Sequence, residues 1–223
     1  MPGFSTRNLT VRVGGHAYKL RVLSDRQQFA DPDGHGERLG ISSAQWCLFG
    51  QLWPSGRLLA QAMAQADIAG KRVLEIGCGI GLASLVLQRR GAIVVASDMH
   101  PQTEPFLAYN AALNDLPALH YRQLRWGQPL PALGDFDMII ASDVLYERGH
   151  AQLLSGVVER HARASCELVL TDPGRGHSAE LTRLLAAQGF AVSESRCAMD
   201  DDDQDARGRL LHYRRGSTTQ DRS

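Results

Sequence analysis

The chain has 223 residues, 43% of them apolar and 22% charged, with 24 lysines and arginines balanced by 24 aspartates and glutamates. That apolar share excludes a disordered chain, and a core of this size needs neither disulfide nor metal staples. Zero net charge argues against a nucleic-acid partner held through its phosphates, and no run approaches the roughly 18 apolar residues of a membrane span.

Residues 1–15 lack the apolar centre of a signal peptide, so a cytoplasmic location with no membrane partner is expected. Residues 8–23 alternate around Gly14-Gly15, which predicts a β-hairpin. Asp31-Pro32-Asp33-Gly34 begins like a calcium loop, but its twelfth place is Ser42, where a bidentate glutamate is required, so a turn is expected. From Ser43 to about Ala64 the period becomes helical, broken at Trp53-Pro54-Ser55-Gly56, where Ser55 is the expected cap of a second helix.

After Gly70, apolar strands and amphipathic helices alternate. Strands are expected at 72–76, 93–97, 119–124, 136–142 and 167–171, with helices at 81–90 and 103–114 and another between the last two strands. Continuous apolar strands interleaved with helices predict a parallel sheet covered on both faces. A helix at 178–188 stopped by Gly189, then runs at 190–197 and 209–214 joined by the acidic tip Asp200 to Asp205, predict an antiparallel closing pair. The whole reads as one domain: 1–42 hairpin and loop, 43–215 core, 216–223 tail. Cys47, Cys78, Cys166 and Cys197 form no C-x-x-C pair and the eight histidines no H-x-x-x-H pair, so no metal site is expected and the thiols are read as buried and free.

Ligands of open α/β sheets sit beyond the carboxyl ends of the strands. There the first core strand ends in Glu75-Ile76-Gly77-Cys78-Gly79-Ile80-Gly81. Alternate glycines allow a sharp turn and a close ligand. A dinucleotide fingerprint would place its third small residue at 82, which is Leu82, and a pyrophosphate disfavours a carboxylate such as Glu75 nearby. The pattern suits a cationic ligand with an amino group, S-adenosylmethionine, and Asp98 at the next strand end can accept from ribose hydroxyls.

The stretch VLEIGCGIGLASL with Asp98 resembles the first two motifs of class I S-adenosylmethionine-dependent methyltransferases. More narrowly, Leu52-Trp53-Pro54, Leu124-Arg125-Trp126 and Phe136-Asp137 through Ala141-Ser142-Asp143-Val144-Leu145-Tyr146 resemble the D-x-x-Y protein-lysine methyltransferases of family 16, over about Ser43 to Arg175. The resemblance implies a Rossmann-like, doubly wound α/β fold: a seven-stranded sheet with an antiparallel last strand, extended by the hairpin and the helical segment. It implies cofactor contacts from Trp53, from Glu75, Gly77, Gly79 and Gly81, from Asp98 and Met99, and from Trp126 and Ala141 at the adenine. Arg125 stands where the family usually carries an acid. Thr171-Asp172-Pro173-Gly174-Arg175 is similar to the branch acting on the electron-transfer flavoprotein β subunit, a sign of ancestry rather than of substrate.

The same resemblance makes Asp143 and Tyr146 catalytic, the acid anchoring an incoming lysine ammonium and the phenol orienting the amine. Position alone also allows Asp143 as a helix cap and Tyr146 as packing. The expected function is methylation of lysine side chains of a protein partner by a monomer. The rivals are a small-molecule N- or O-methyltransferase, which shares the cofactor residues, and a cofactor-binding scaffold without catalysis.

Overall fold

A computed structural model describes residues 4–29, 31, 33–128, 133–198 and 207–216. The acidic tip and residues 217–223 of the tail lie outside the described residues.

The predicted hairpin is strands β1 (Thr6–Val13) and β2 (His16–Leu23), paired from Thr6 opposite Leu23 to Val13 opposite His16. Asp31 to Gly34 is a turn closed by Gly34 N–H donating to the Asp31 carbonyl at 3.0 Å. It leads into a short helix α1 (His35–Arg38). The broken helical stretch is α2 (Ser43–Trp46), a 3-10 turn at Leu48–Gly50, and α3 (Pro54–Gln65). Ser55 lies inside α3 rather than capping it. The helix starts two residues earlier than expected because Pro54 occupies its first position, where a missing N–H costs nothing, and Trp53 is the N-cap.

Seven strands form one sheet. They are β3 (Arg72–Ile76), β4 (Ile93–Asp98), β5 (His120–Gln123), β6 (Phe136–Ser142), β7 (Ala162–Asp172), β8 (Ala191–Ala198) and β9 (Arg207–Arg215). Their spatial order is β5-β4-β3-β6-β7-β9-β8, parallel except for β9, which runs antiparallel to both neighbours. Strand β7 begins five residues before the predicted 167. Its first residues, Ala162 to Ser165, are small or charged and mostly solvent-facing, so no apolar pattern marks them, and they are held by Arg215 donating to the Ala162 and Arg163 carbonyls at 3.0 and 2.8 Å.

Between the strands run α4 (Leu82–Arg89), α5 (Thr103–Leu113), α6 (His150–His161) and α7 (Ser178–Ala187). Alternation along the strands divides the core. Leu74, Ile76, Ile139, Leu168 and Leu170 pack with α6 and α7 on one face, while Val73, Val94, Met138, Ile140 and Val169 pack with α3 and α4 on the other. The hairpin adds an outer layer through Val11, Val13, Tyr18 and Leu20. Two buried asparagines, Asn110 within α5 and Asn114 at its C-cap, fasten its edge: Asn110 Oδ1 accepts from Arg21 N–H at 2.8 Å and Asn114 Oδ1 from Lys19 N–H at 2.9 Å. Asn110 also donates to the Ile80 carbonyl at 3.0 Å, tying hairpin and helix to the glycine turn.

The register levels the strand ends. Ile76 pairs with Ser97 on one side and Ala141 on the other, Asp98 with Gln123, and Ser142 with Thr171. Chain connections depart in opposite directions from β3 and β6, so a crevice opens above that pair.

Candidate active site

The glycine turn leaves β3 with Gly77, Gly79 and Gly81 at φ of 66°, 51° and 79°, in the left-handed region that favours glycine. Cys78 N–H donates to the Ser97 carbonyl at 2.9 Å, carrying the sheet ladder into the turn. A Cβ on Gly79 would stand 2.8 Å from the Phe49 carbonyl oxygen, and one on Gly77 would stand 2.9 Å from Val144 Cγ1. The tight spacing therefore serves close packing by the chain itself as well as a ligand.

Above the turn lies a cavity of about 750 Å³, within the usual range of small-molecule sites. Its floor carries two acids. Glu75 Oε2 accepts from Ser84 N–H at 2.9 Å and from the Ser84 hydroxyl. Burial pushes its pKa up to about 7 against these bonds, and Asp98 adds to the rise. Asp98 accepts from Gly79 N–H through Oδ2 and from His100 N–H through Oδ1, both at 2.9 Å, and burial raises its pKa as well. Two buried carboxyls resisting ionisation form a site that a cation relieves, and a carboxylate lining the cavity is an acceptor for hydroxyls. This donor set fits the sulfonium, ammonium and ribose of S-adenosylmethionine.

His100, which the sequence reading passed over, also lines the cavity. Its ring stacks on Phe49 with centroids 3.9 Å apart and meets Trp46 edge-on at 4.4 Å. Burial drives its pKa down to about 3. Nδ1 accepts from Gln102 N–H at 3.1 Å, which assigns the proton of this neutral ring to Nε2, an atom without a hydrogen-bond partner among the described residues. Its place two residues beyond Asp98 was the only signal in the chain.

Trp53, Met99, Leu124, Arg125 and Trp126 contribute to the walls. Trp53 is pinned by Nε1–H donating to the Leu48 carbonyl at 3.0 Å. Trp126 meets His150 edge-on at 5.2 Å. Two expected residues stand outside the lining. Ala141 is fully buried in the core cluster beneath the site, with Ser142 and Asp143 reaching the cavity in its place, and Gly81 is the N-cap of α4, backed by Leu107.

On the neighbouring strand, Asp143 follows β6 with φ 50°, its N–H donating to the Thr171 carbonyl at 2.8 Å. Asp is among the few side chains that accept this conformation. Its carboxylate is gripped by Arg175 in a fork, Nε to Oδ1 at 2.7 Å and Nη2 to Oδ2 at 2.9 Å, and these bonds raise the arginine's pKa further. Arg175 comes from the turn after β7, which Asp172 braces by accepting from Gly174 N–H at 3.1 Å and from Arg209 at 2.6 Å. Tyr146 sits three residues beyond Asp143 in the loop before α6, edge-on to His150 at 4.7 Å, and burial pushes its pKa up to about 12, so the phenol stays protonated. Glu147 bonds Gln45 and lies 3.5 Å from His150 Nε2, closing the rim.

The model of the lysine methyltransferase family matches residues 43–182. Among curated relatives, the chain is 33% identical to the histone-arginine methyltransferase METTL23 of Xenopus laevis over 61% of its own length and 59% of that protein. It is 28% identical to the electron transfer flavoprotein beta subunit lysine methyltransferase of Xenopus laevis, over 79% of the chain and 72% of that protein. The first relatives matched are spanned by the chain for only 45% to 59% of their length. A solved 16S rRNA methyltransferase of T. thermophilus, in complex with AdoMet and guanosine, superposes with a TM-score of 0.65 at 19% identity over 96% of this chain and 52% of that one, a likeness of fold.

Proposed function

Because this chain belongs to the lysine methyltransferase family of S-adenosylmethionine-dependent enzymes, we propose that it methylates lysine side chains of a protein. The observation that carries this reading is the pairing, across one cavity, of the buried acids Glu75 and Asp98 with Asp143 and Tyr146.

Bound there, the cofactor supplies an electrophilic methyl group on a positive sulfur. Glu75 neutralises the ammonium of its amino-acid part, and Asp98 accepts from the ribose hydroxyls. Trp53, Met99 and Trp126 cover apolar surface and exclude water. Asp143 anchors the incoming lysine ammonium, whose proton must leave before the nitrogen has a lone pair to offer. Positive charge inside the site favours that loss. Tyr146, protonated, orients the amine along the line of displacement.

Exposure of a proteome to labelled cofactor tests the reading, since label confined to small solutes would reject a protein acceptor. Binding without product from any extract would leave a scaffold. A second reading, a guanidinium acceptor, is favoured by one observation: Asp143 already holds a guanidinium in a fork. Fragment mass spectra of the labelled product place the methyl on lysine or on arginine.

Two outcomes are expected of the cofactor side. Asp98→Ala weakens calorimetric affinity for adenosylhomocysteine by about 1–3 kcal/mol through lost charge-assisted bonds. Unchanged affinity would remove Asp98 from the site. Glu75 sets a pH dependence. Its folded pKa of about 7 stands above the ordinary 4.5, so its contribution to stability is complete below about 4.5 and lost as pH rises through about 7. A bound ammonium reverses the preference and expels the proton. Affinity for adenosylhomocysteine therefore rises as pH approaches about 7 and levels above it, with proton release visible in buffers of different ionisation enthalpy. The slope vanishes in Glu75→Gln; a flat wild-type profile would reject this role.

A further inference from the structure

The acid assigned to the acceptor is already occupied from within. Arg175 reaches Asp143 with both edges of a planar fork, the side chain of Asp143 being 12% exposed and that of Arg175 46%. The arginine is flanked by Gly174 and Gly176, at φ 98° and 95°, and nothing stands within 4 Å of where either Cβ would be. The turn is thus anchored at Asp172 and again where α7 begins at Ser178, with open space around the glycines between.

The neighbouring acids are engaged elsewhere. Asp172 is held by Arg209, and Glu147 by Gln45 and His150. An arginine displaced from Asp143 therefore finds no idle carboxylate among these neighbours.

Resting on the amine-acceptor reading above, we propose that Arg175 is an internal occupant of the acceptor site that selects amines carried beside a carboxylate. The ammonium of such a substrate takes Asp143 while its acid takes the released guanidinium, so one ion pair is exchanged for two. A lysine with neutral neighbours breaks a bidentate contact and returns a single-point one, because an ammonium lacks the planar fork. No covalent bond changes in this exchange; methyl transfer follows it.

The test is calorimetry on the full chain saturated with adenosylhomocysteine, using peptides with one lysine flanked by glutamate or by glutamine. Wild type is expected to bind the glutamate peptide about fivefold more tightly. Arg175→Ala is expected to lose that preference and to gain affinity for the glutamine peptide. Equal wild-type affinities, or a preference that survives in Arg175→Ala, would overturn the selection by Arg175 while leaving the amine acceptor standing. Binding of neither peptide to either protein would overturn both. Should Arg175→Ala fold poorly, Arg175→Gln and the wild-type ratio decide alone.

Discussion

Gly81→Ala is expected to lower the melting temperature by about 6–12 °C, the equivalent of roughly 3 kcal/mol in a chain of this length. Two costs combine. Gly81 has φ 79°, where a side chain is strained by about 1–2 kcal/mol. The new Cβ would also lie 2.0 Å from Leu107 Cδ1, and forcing a methyl into a packed core typically costs about 1–3 kcal/mol. Leu107 has little room to yield, being 1% exposed and packed against Cys78 and Ala96. Leu107→Ala combined with Gly81→Ala should therefore destabilise by less than the sum of the two changes. A melt of Gly81→Ala that matches wild type would reject both the backbone strain and the tight contact with Leu107.

Asp143→Asn is expected to lower kcat/KM for the protein acceptor about 10- to 100-fold, the loss of one charge-assisted bond to the substrate cation. Asparagine is the right replacement because it accepts the left-handed backbone of this position, φ 50°, as readily as aspartate does. Alanine would confound the measurement with strain. The hydrogen bonds of Asp143 go to Thr171 and Arg175, not to the residues proposed to hold the cofactor, so affinity for adenosylhomocysteine should be unchanged in the same protein. Wild-type turnover would return Asp143 to the role of a structural acid paired with Arg175. Reduced turnover with equally reduced cofactor affinity would point instead to a collapsed rim.

These predictions draw on different kinds of information. The alternation of strands and helices, a parallel sheet covered on both faces and the glycine turn after β3 follow from local pattern, because burial on both faces makes strands continuously apolar and a tight turn needs glycine wherever φ is positive. Asp98 is legible for a related reason: it stands at a strand end, and the sheet brings such ends to one level, while Trp53, Asp143 and Tyr146, expected through the resemblance, line the same cavity. The starts of α3 and β7 differ from the expected ones because a proline at a first helical position and a solvent-facing strand end carry weak apolar signals.

What spacing alone could not supply is contact between distant segments. Arg175 closes on Asp143 from 32 residues away. His100 is made neutral by rings of the preceding helical segment, Trp46 and Phe49, and Ala141 yields its place on the cavity to Ser142 and Asp143. Local sequence determined which residue types stand at the ends of the strands, since periodicity and turn chemistry act over a few neighbours. Tertiary structure decided which of those residues touch, because that depends on strand order, on register and on loops whose conformations are set by what they pack against.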